Sequence, residues 1–190
     1  MSSLQERGGE SEDFPQMFGA FSDAFADRLE NGERKIGIEE EYAVVNQYGI
    51  GGFVGKIFPD FLALGWDPKY DSVTGALVGV SKDEIEIGYD VGIFQLEVGF
   101  PPNRDLIEHA TMRIKTFALV DGILAKYGLF RLKDYGAQPI TAPQRDHWAD
   151  KGRGNHFKDF FCDLVHAQTS SASSQIHLDV RKSELIPALK

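Results

Sequence analysis

Three consecutive carboxylates, Glu39-Glu40-Glu41, sit inside a run that otherwise has the composition of a buried β-strand, Lys35-Ile36-Gly37-Ile38-Glu39-Glu40-Glu41-Tyr42-Ala43-Val44-Val45. Side chains of an extended chain alternate between two faces. Ile36, Ile38, Glu40, Tyr42 and Val44 therefore share one face, and Glu39, Glu41, Ala43 and Val45 share the other. Glu39 and Glu41 are then about 7 Å apart along the strand and repel unless water, a cationic side chain or a metal ion lies between them. A hard divalent cation suits oxygen ligands best. An edge strand with a solvated acidic face is the other reading.

A length of 190 residues fits one domain able to bury a substantial core. A net charge of −9 argues against a nucleic-acid-binding surface, which needs concentrated Lys and Arg. It leaves nucleotide binding open, because a metal ion and a few local cations suffice there. No apolar run is long enough to span a bilayer, and the first residues lack the apolar stretch of a signal peptide. The single Cys162 excludes an internal disulfide and points to a reducing, cytoplasmic compartment.

Residues 1–13 are polar and read as a disordered tail, with residues 14–190 as a single α+β domain. Phe14, Met17, Phe18, Phe21, Phe25 and Leu29 recur at helical spacing, as a docking face. The glycines of Asn46-Gln47-Tyr48-Gly49-Ile50-Gly51-Gly52 read as a turn, since no Lys-Ser/Thr follows in P-loop register. Residues 53–64 suggest a short helix interrupted near Pro59. Three short strands follow, at 76–80, 84–87 and 94–98, as a meander. The longest helix spans Arg104 to Tyr127 and ends at Gly128. A strand is expected at 129–135, a basic loop at 144–156 and a helix at 157–166. In the last strand, Gln175-Ile176-His177-Leu178-Asp179-Val180, the apolar Ile176, Leu178 and Val180 are expected to face the core.

Three strands thus pair an apolar face with one carrying groups able to bind metal: Glu39 and Glu41, then Gln95 and Glu97, then Gln175, His177 and Asp179. A lone strand histidine is more often structural than a ligand, so it is the repetition that carries the signal. Oxygen ligands with one imidazole suit Mg²⁺ or Mn²⁺ bound together with substrate phosphates.

In this order and approximate spacing the motifs resemble those of the glutamate–cysteine ligases of plants and many bacteria, within the carboxylate–amine ligase and glutamine-synthetase-like class. The family's Gly-x-Glu-x-Glu strand is similar to Gly37–Tyr42, its Gln-x-Glu strand followed by Pro to Gln95–Pro101, its Pro-Lys-Gly-Arg-Tyr segment to Asp150–Gly154, and its Gln-Val-Asn/His-Leu-Asp strand to Gln175–Val180. Gly154 departs from the pattern, standing where the family usually has Tyr. The resemblance implies a curved antiparallel sheet with helices on one side, part of a glutamine-synthetase-like fold. It implies an ATP- and Mg²⁺-dependent ligase joining the γ-carboxylate of glutamate to the amine of cysteine, the first step of glutathione synthesis. Carried over by position, Glu39, Glu41 and Glu97 would bind metal, and His177 metal or nucleotide phosphate. Gln95 would orient substrate, and Arg153 would meet a substrate carboxylate or the transferring phosphate.

Family members run considerably further, so the resemblance covers roughly their N-terminal half and implies a homo-oligomer or a missing C-terminal half that completes the site. A truncated, non-catalytic glutamate- or nucleotide-binding module and a ligase with a different amine acceptor are the alternatives.

Overall fold

The computed structural model describes residues 34–160, 163–180 and 184, so the expected tail and the aromatic helix of residues 14–29 lie outside the described residues. Among the described residues, one antiparallel sheet holds seven strands: β1 (Ile36–Asn46), β2 (Asp67–Tyr70), β3 (Leu77–Lys82), β4 (Ile85–Tyr89), β5 (Gln95–Asn103), β6 (Leu129–Arg131) and β7 (Ser174–Leu178). Three α-helices accompany them: α1 (Phe58–Ala63), α2 (Leu106–Lys126) and α3 (Gly152–Phe160). The strand order is β2-β3-β4-β5-β1-β6, with β7 also paired to β1. No helix among the described residues is long and apolar enough to cross a membrane.

β1 is a central strand, which removes the edge-strand reading of its carboxylates. Val44 N–H donates to Phe94 O (2.8 Å) on the β5 side, whereas Glu41 N–H donates to Ser173 O (2.7 Å) on the opposite edge. That second edge is shared: β6 takes Val44–Asn46 and β7 lies beside the earlier residues, with His177 opposite Gly37.

Antiparallel registration arranges residues in rows across the sheet. Val80, Ile87, Val98 and Glu40 form one row. Lys69, Gly79, Gly88, Glu97 and Glu41 form the next, and Asp67, Ser81, Glu86, Gly99 and Glu39 the one beyond Val80's. Since neighbouring rows face opposite ways, the Val80 row points to the core while the two flanking rows share the other face.

Leu96, Val98 and Phe100 of β5, Val80, Ile87 and Val44 pack with Phe58 and Phe61 of α1 and Phe117, Val120, Ile123 and Leu124 of α2. α2 starts where the Asp105 carboxylate accepts the N–H groups of Ile107 (2.7 Å) and Glu108 (3.1 Å), a side-chain N-cap. It stops before Gly128, whose φ of +66° is a left-handed value that glycine adopts without strain.

Several expectations need correction. Residues 129–135 hold only the three-residue strand β6. The helix expected from Phe157 begins at Gly152, and a 3₁₀ stretch follows at Asp163–Ser170. Its early start has a tertiary cause, because the Gly152 N–H is taken by the Asp71 carboxylate at 3.1 Å. β2 was not legible: it is a four-residue edge strand containing Pro68, a residue that edges tolerate. Ile176 and Leu178, expected in the core, are 68% and 64% exposed.

Ile36–His177 forms one compact unit. The described residues outside it belong to a second, in which Lys35 N–H donates to the Asp179 carboxylate (3.0 Å) and Asp179 N–H to Lys35 O (3.3 Å).

Candidate functional site

The side of the sheet away from α1 and α2 carries the charged residues singled out by the sequence. Glu41 and Glu97 are direct cross-strand neighbours, and Glu39 is two residues from Glu41 on the same face. Glu41 is buried and bonded on both oxygens, by Ser173 Oγ and Gln175 Nε2, each at 2.8 Å. His177, half exposed on β7, sets its Nε2 3.5 Å from Glu39 Oε2. Five of the six sequence-derived candidates, Glu39, Glu41, Glu97, His177 and Gln95, thus lie on one face.

Gln95 shares that face but is fully buried. Its Oε1 accepts the Gly92 N–H and its Nε2 donates to Ser171 O at 2.6 Å, so the amide ties the start of β5 to the segment before β7. Arg153 stands apart, exposed in the first turn of α3.

Two cavities flank this region. The first, about 130 Å³, lies over the row Lys69–Gly79–Gly88–Glu97, with Glu86 and Lys151 also lining it. Its floor is bare for a structural reason. A Cβ on Gly79 would come within 2.6 Å of Ile87 O, and one on Gly88 within 2.8 Å of Val78 O, so no side chain fits either position. The second cavity, about 230 Å³, is lined by Asp90, Trp148, Lys151, Arg153, Phe157 and Gln168 among others.

Electrostatically the region is unsettled. Glu97 accepts no hydrogen bond from any described residue that the geometry resolves, and its pKa is pushed up to about 7. Burial is the main cause; the Lys151 charge opposes it, while Asp90, Glu39 and Glu41 reinforce it. Asp90 is raised as well, first by burial and then by Glu41, against the pull of Lys151 and Arg153. Lys151 is lowered, again chiefly by burial, although Glu97 and Asp90 work the other way. For acid and base alike, burial outweighs mutual attraction. These charges are not a satisfied structural ion pair.

Among the described residues, no three His, Cys, Asp or Glu side chains are grouped closely enough to hold a metal ion by themselves. The donors nonetheless suit magnesium, which keeps several waters and binds through one or two carboxylates plus phosphate oxygens. Glu97 is the open carboxylate for it, with Glu41 and Glu39 alongside.

Lys151, Lys69 and Asp90 are the residues that sequence reasoning passed over as site groups. Lys151 had a signal, standing in the Lys-Gly-Arg segment two residues before Arg153. Lys69 had none, since only the β2–β3 register carries it to the glycine row. Neither protein-family models nor curated protein sequences give a match to this chain.

Proposed function

We propose that the chain is an ATP-dependent carbon–nitrogen ligase of the glutamate–cysteine ligase kind, built on a glutamine-synthetase-like sheet and working in the cytoplasm. The observation that carries this reading is a glycine-floored trough lined by the under-neutralised carboxylate Glu97 and edged by Lys69 and Lys151, with Glu41 beside Glu97 and Glu39 farther along the same face of the sheet. A carboxylate face that repels itself is a poor structural element and a good receptor for a cation carried by polyphosphate.

In this reading Glu97, Glu41 and Glu39 hold Mg²⁺, which would screen the phosphate charge when bound. His177 lies beside Glu39, where it fits either metal or a phosphate oxygen. Lys69 and Lys151 face phosphate oxygens across the glycine floor, where backbone alone allows close approach. Arg153 offers its planar fork to a carboxylate in the second cavity. The γ-carboxylate oxygen of glutamate attacks the terminal phosphorus of ATP, and the bond to the ADP oxygen breaks with its electron pair. The amine of cysteine then attacks the acyl carbon, and phosphate departs carrying the proton lost from nitrogen. Positioning and charge neutralisation are the protein's part. A second copy, or sequence equivalent to the C-terminal half of the family, supplies the remaining contacts.

The test is ADP release by the purified chain with Mg²⁺, ATP and glutamate, with and without cysteine, together with its mass in solution. Cysteine-dependent turnover supports the ligase. Glutamate binding without turnover of ATP identifies a non-catalytic module instead, and turnover with another amine but not cysteine reassigns the acceptor.

A further inference from the structure

We infer that Lys151 is the bridging charge of the site, its ammonium touching the anionic ligands of both cavities at once. This rests on the ligase reading for the identity of those ligands, but the geometry behind it is independent. Lys151 is the cation that lines both cavities. Glu97 lines the first cavity and Asp90 the second, each feeling its charge. Its Nζ donates to the Tyr89 carbonyl, a neutral acceptor, which leaves two of its three donors for other partners.

The backbone around Lys151 is pinned from several directions. Ile93 N–H donates to His147 O and Ala149 N–H to Val91 O, both at 2.8 Å, so residues 147–149 run as a short extension beside 91–93. The Asp71 carboxylate gathers the N–H groups of Val73 (3.0 Å), Thr74 (2.9 Å) and Gly152 (3.1 Å). Thr74 Oγ1 donates to Asp150 O at 2.9 Å. At Gly152 a Cβ would fall 2.5 Å from that of Val73, so glycine lets the two segments meet. Residues on both sides of Lys151 are therefore tied to the 71–75 turn, and the lysine is delivered to the wall between the cavities by a preorganised backbone.

An ammonium in that wall has a particular use. Two anionic ligands in adjoining cavities repel each other, and a cation between them reduces that cost, so each favours binding of the other. A phosphoryl donor in the glycine trough and a carboxylate beside Arg153 form such a pair. When the carboxylate oxygen bonds to phosphorus and the bond to the leaving oxygen breaks, the charge passes from one side of Lys151 to the other.

The experiment compares wild type with Lys151→Met and Lys151→Arg by calorimetry, using Mg²⁺ with β,γ-imido-ATP, glutamate, and each in the presence of the other. In wild type, saturating glutamate is expected to tighten the nucleotide analogue at least fivefold. Lys151→Met loses that coupling, Lys151→Arg keeps most of it, and all three melt within about 3 °C of one another. Equal coupling in wild type and Lys151→Met overturns the bridging role and leaves the ligase reading standing. A wild-type chain that binds neither ligand overturns the ligase reading and the inference with it. If Lys151→Met melts early, the comparison passes to Lys151→Arg and Lys151→Gln, where equal coupling counts against the bridge in the same way.

Discussion

Glu40 and Glu97 occupy adjacent rows of one sheet on opposite faces, and they are treated in opposite ways. Glu40, 3% exposed, points towards α2. There Arg113 grips it with Nε and with Nη2 (2.7 Å), and the Tyr42 hydroxyl donates to it as well. Burial alone pushes its pKa up, but these bonds and the charges of Arg113 and Arg131 outweigh that and hold it below the ordinary carboxylate range. Glu97 lies partly buried among other carboxylates, opposed only by the charge of Lys151, and is pushed up to about 7. A buried charge that is fully bonded belongs to the architecture. One left under-compensated is costly unless a ligand completes it.

The largest effect is expected from Arg113→Met, which leaves the buried Glu40 with only the Tyr42 hydroxyl and the charge of Arg131. We expect a loss of about 2 to 4 kcal/mol in urea unfolding, the lower end reflecting that Arg113 is itself 44% exposed. Adding Glu40→Gln should recover a good part of it, as expected for directly coupled residues. A small loss from Arg113→Met alone would erase the contrast between the faces.

Glu97→Gln should do the reverse and stabilise the unliganded protein at pH 8, by about 1 to 3 kcal/mol. The folded pKa lies above the ordinary 4.5, so what protonated Glu97 contributes is fully present below about 4.5 and is lost as pH rises through about 7. The advantage of Gln should therefore shrink between pH 7 and 4.5 and vanish below, as thermal melts across that range would show. Protection by Mg²⁺ with ATP should disappear in the same variant. A Glu97→Gln protein less stable than wild type at pH 8 would mean that the carboxylate is already compensated.

The smallest effect is expected at Lys69, whose ion pair with Glu86 is exposed on both sides. Lys69→Met should change unfolding stability by no more than about 0.5 kcal/mol. That places its value in the trough rather than in the fold, and a larger loss would make the trough's edge structural.

Much of the site was legible before any fold was known, because strand alternation is a local property. It assigned Glu39 and Glu41 to one face and Glu40 to the other, and it separated Gln95 and Glu97 from Leu96 and Val98. The glycines at 79 and 88 were visible, but their meaning was not: a bare floor exists only once Gly79 is registered against Gly88 and Gly88 against Glu97. Gln95 looked equivalent to Glu97 by alternation, but its amide is held by Gly92 on one side and by Ser171, 76 positions away, on the other. The exposure of Ile176 was equally hidden, since alternation tells which face a residue occupies and not whether anything covers that face.

By itself, then, the sequence determined the strand faces, the meander, the long capped helix and the acidic character of one surface, all set by interactions within a few residues. Tertiary structure decided which carboxylate became scaffold and which stayed open. Arg113 reaches Glu40 across 73 residues, and the Asp71 carboxylate fastens Gly152 across 81, bringing Lys151 between the cavities. The energy of a buried charge depends on the partners that surround it, and those partners are assembled by the packing of distant segments.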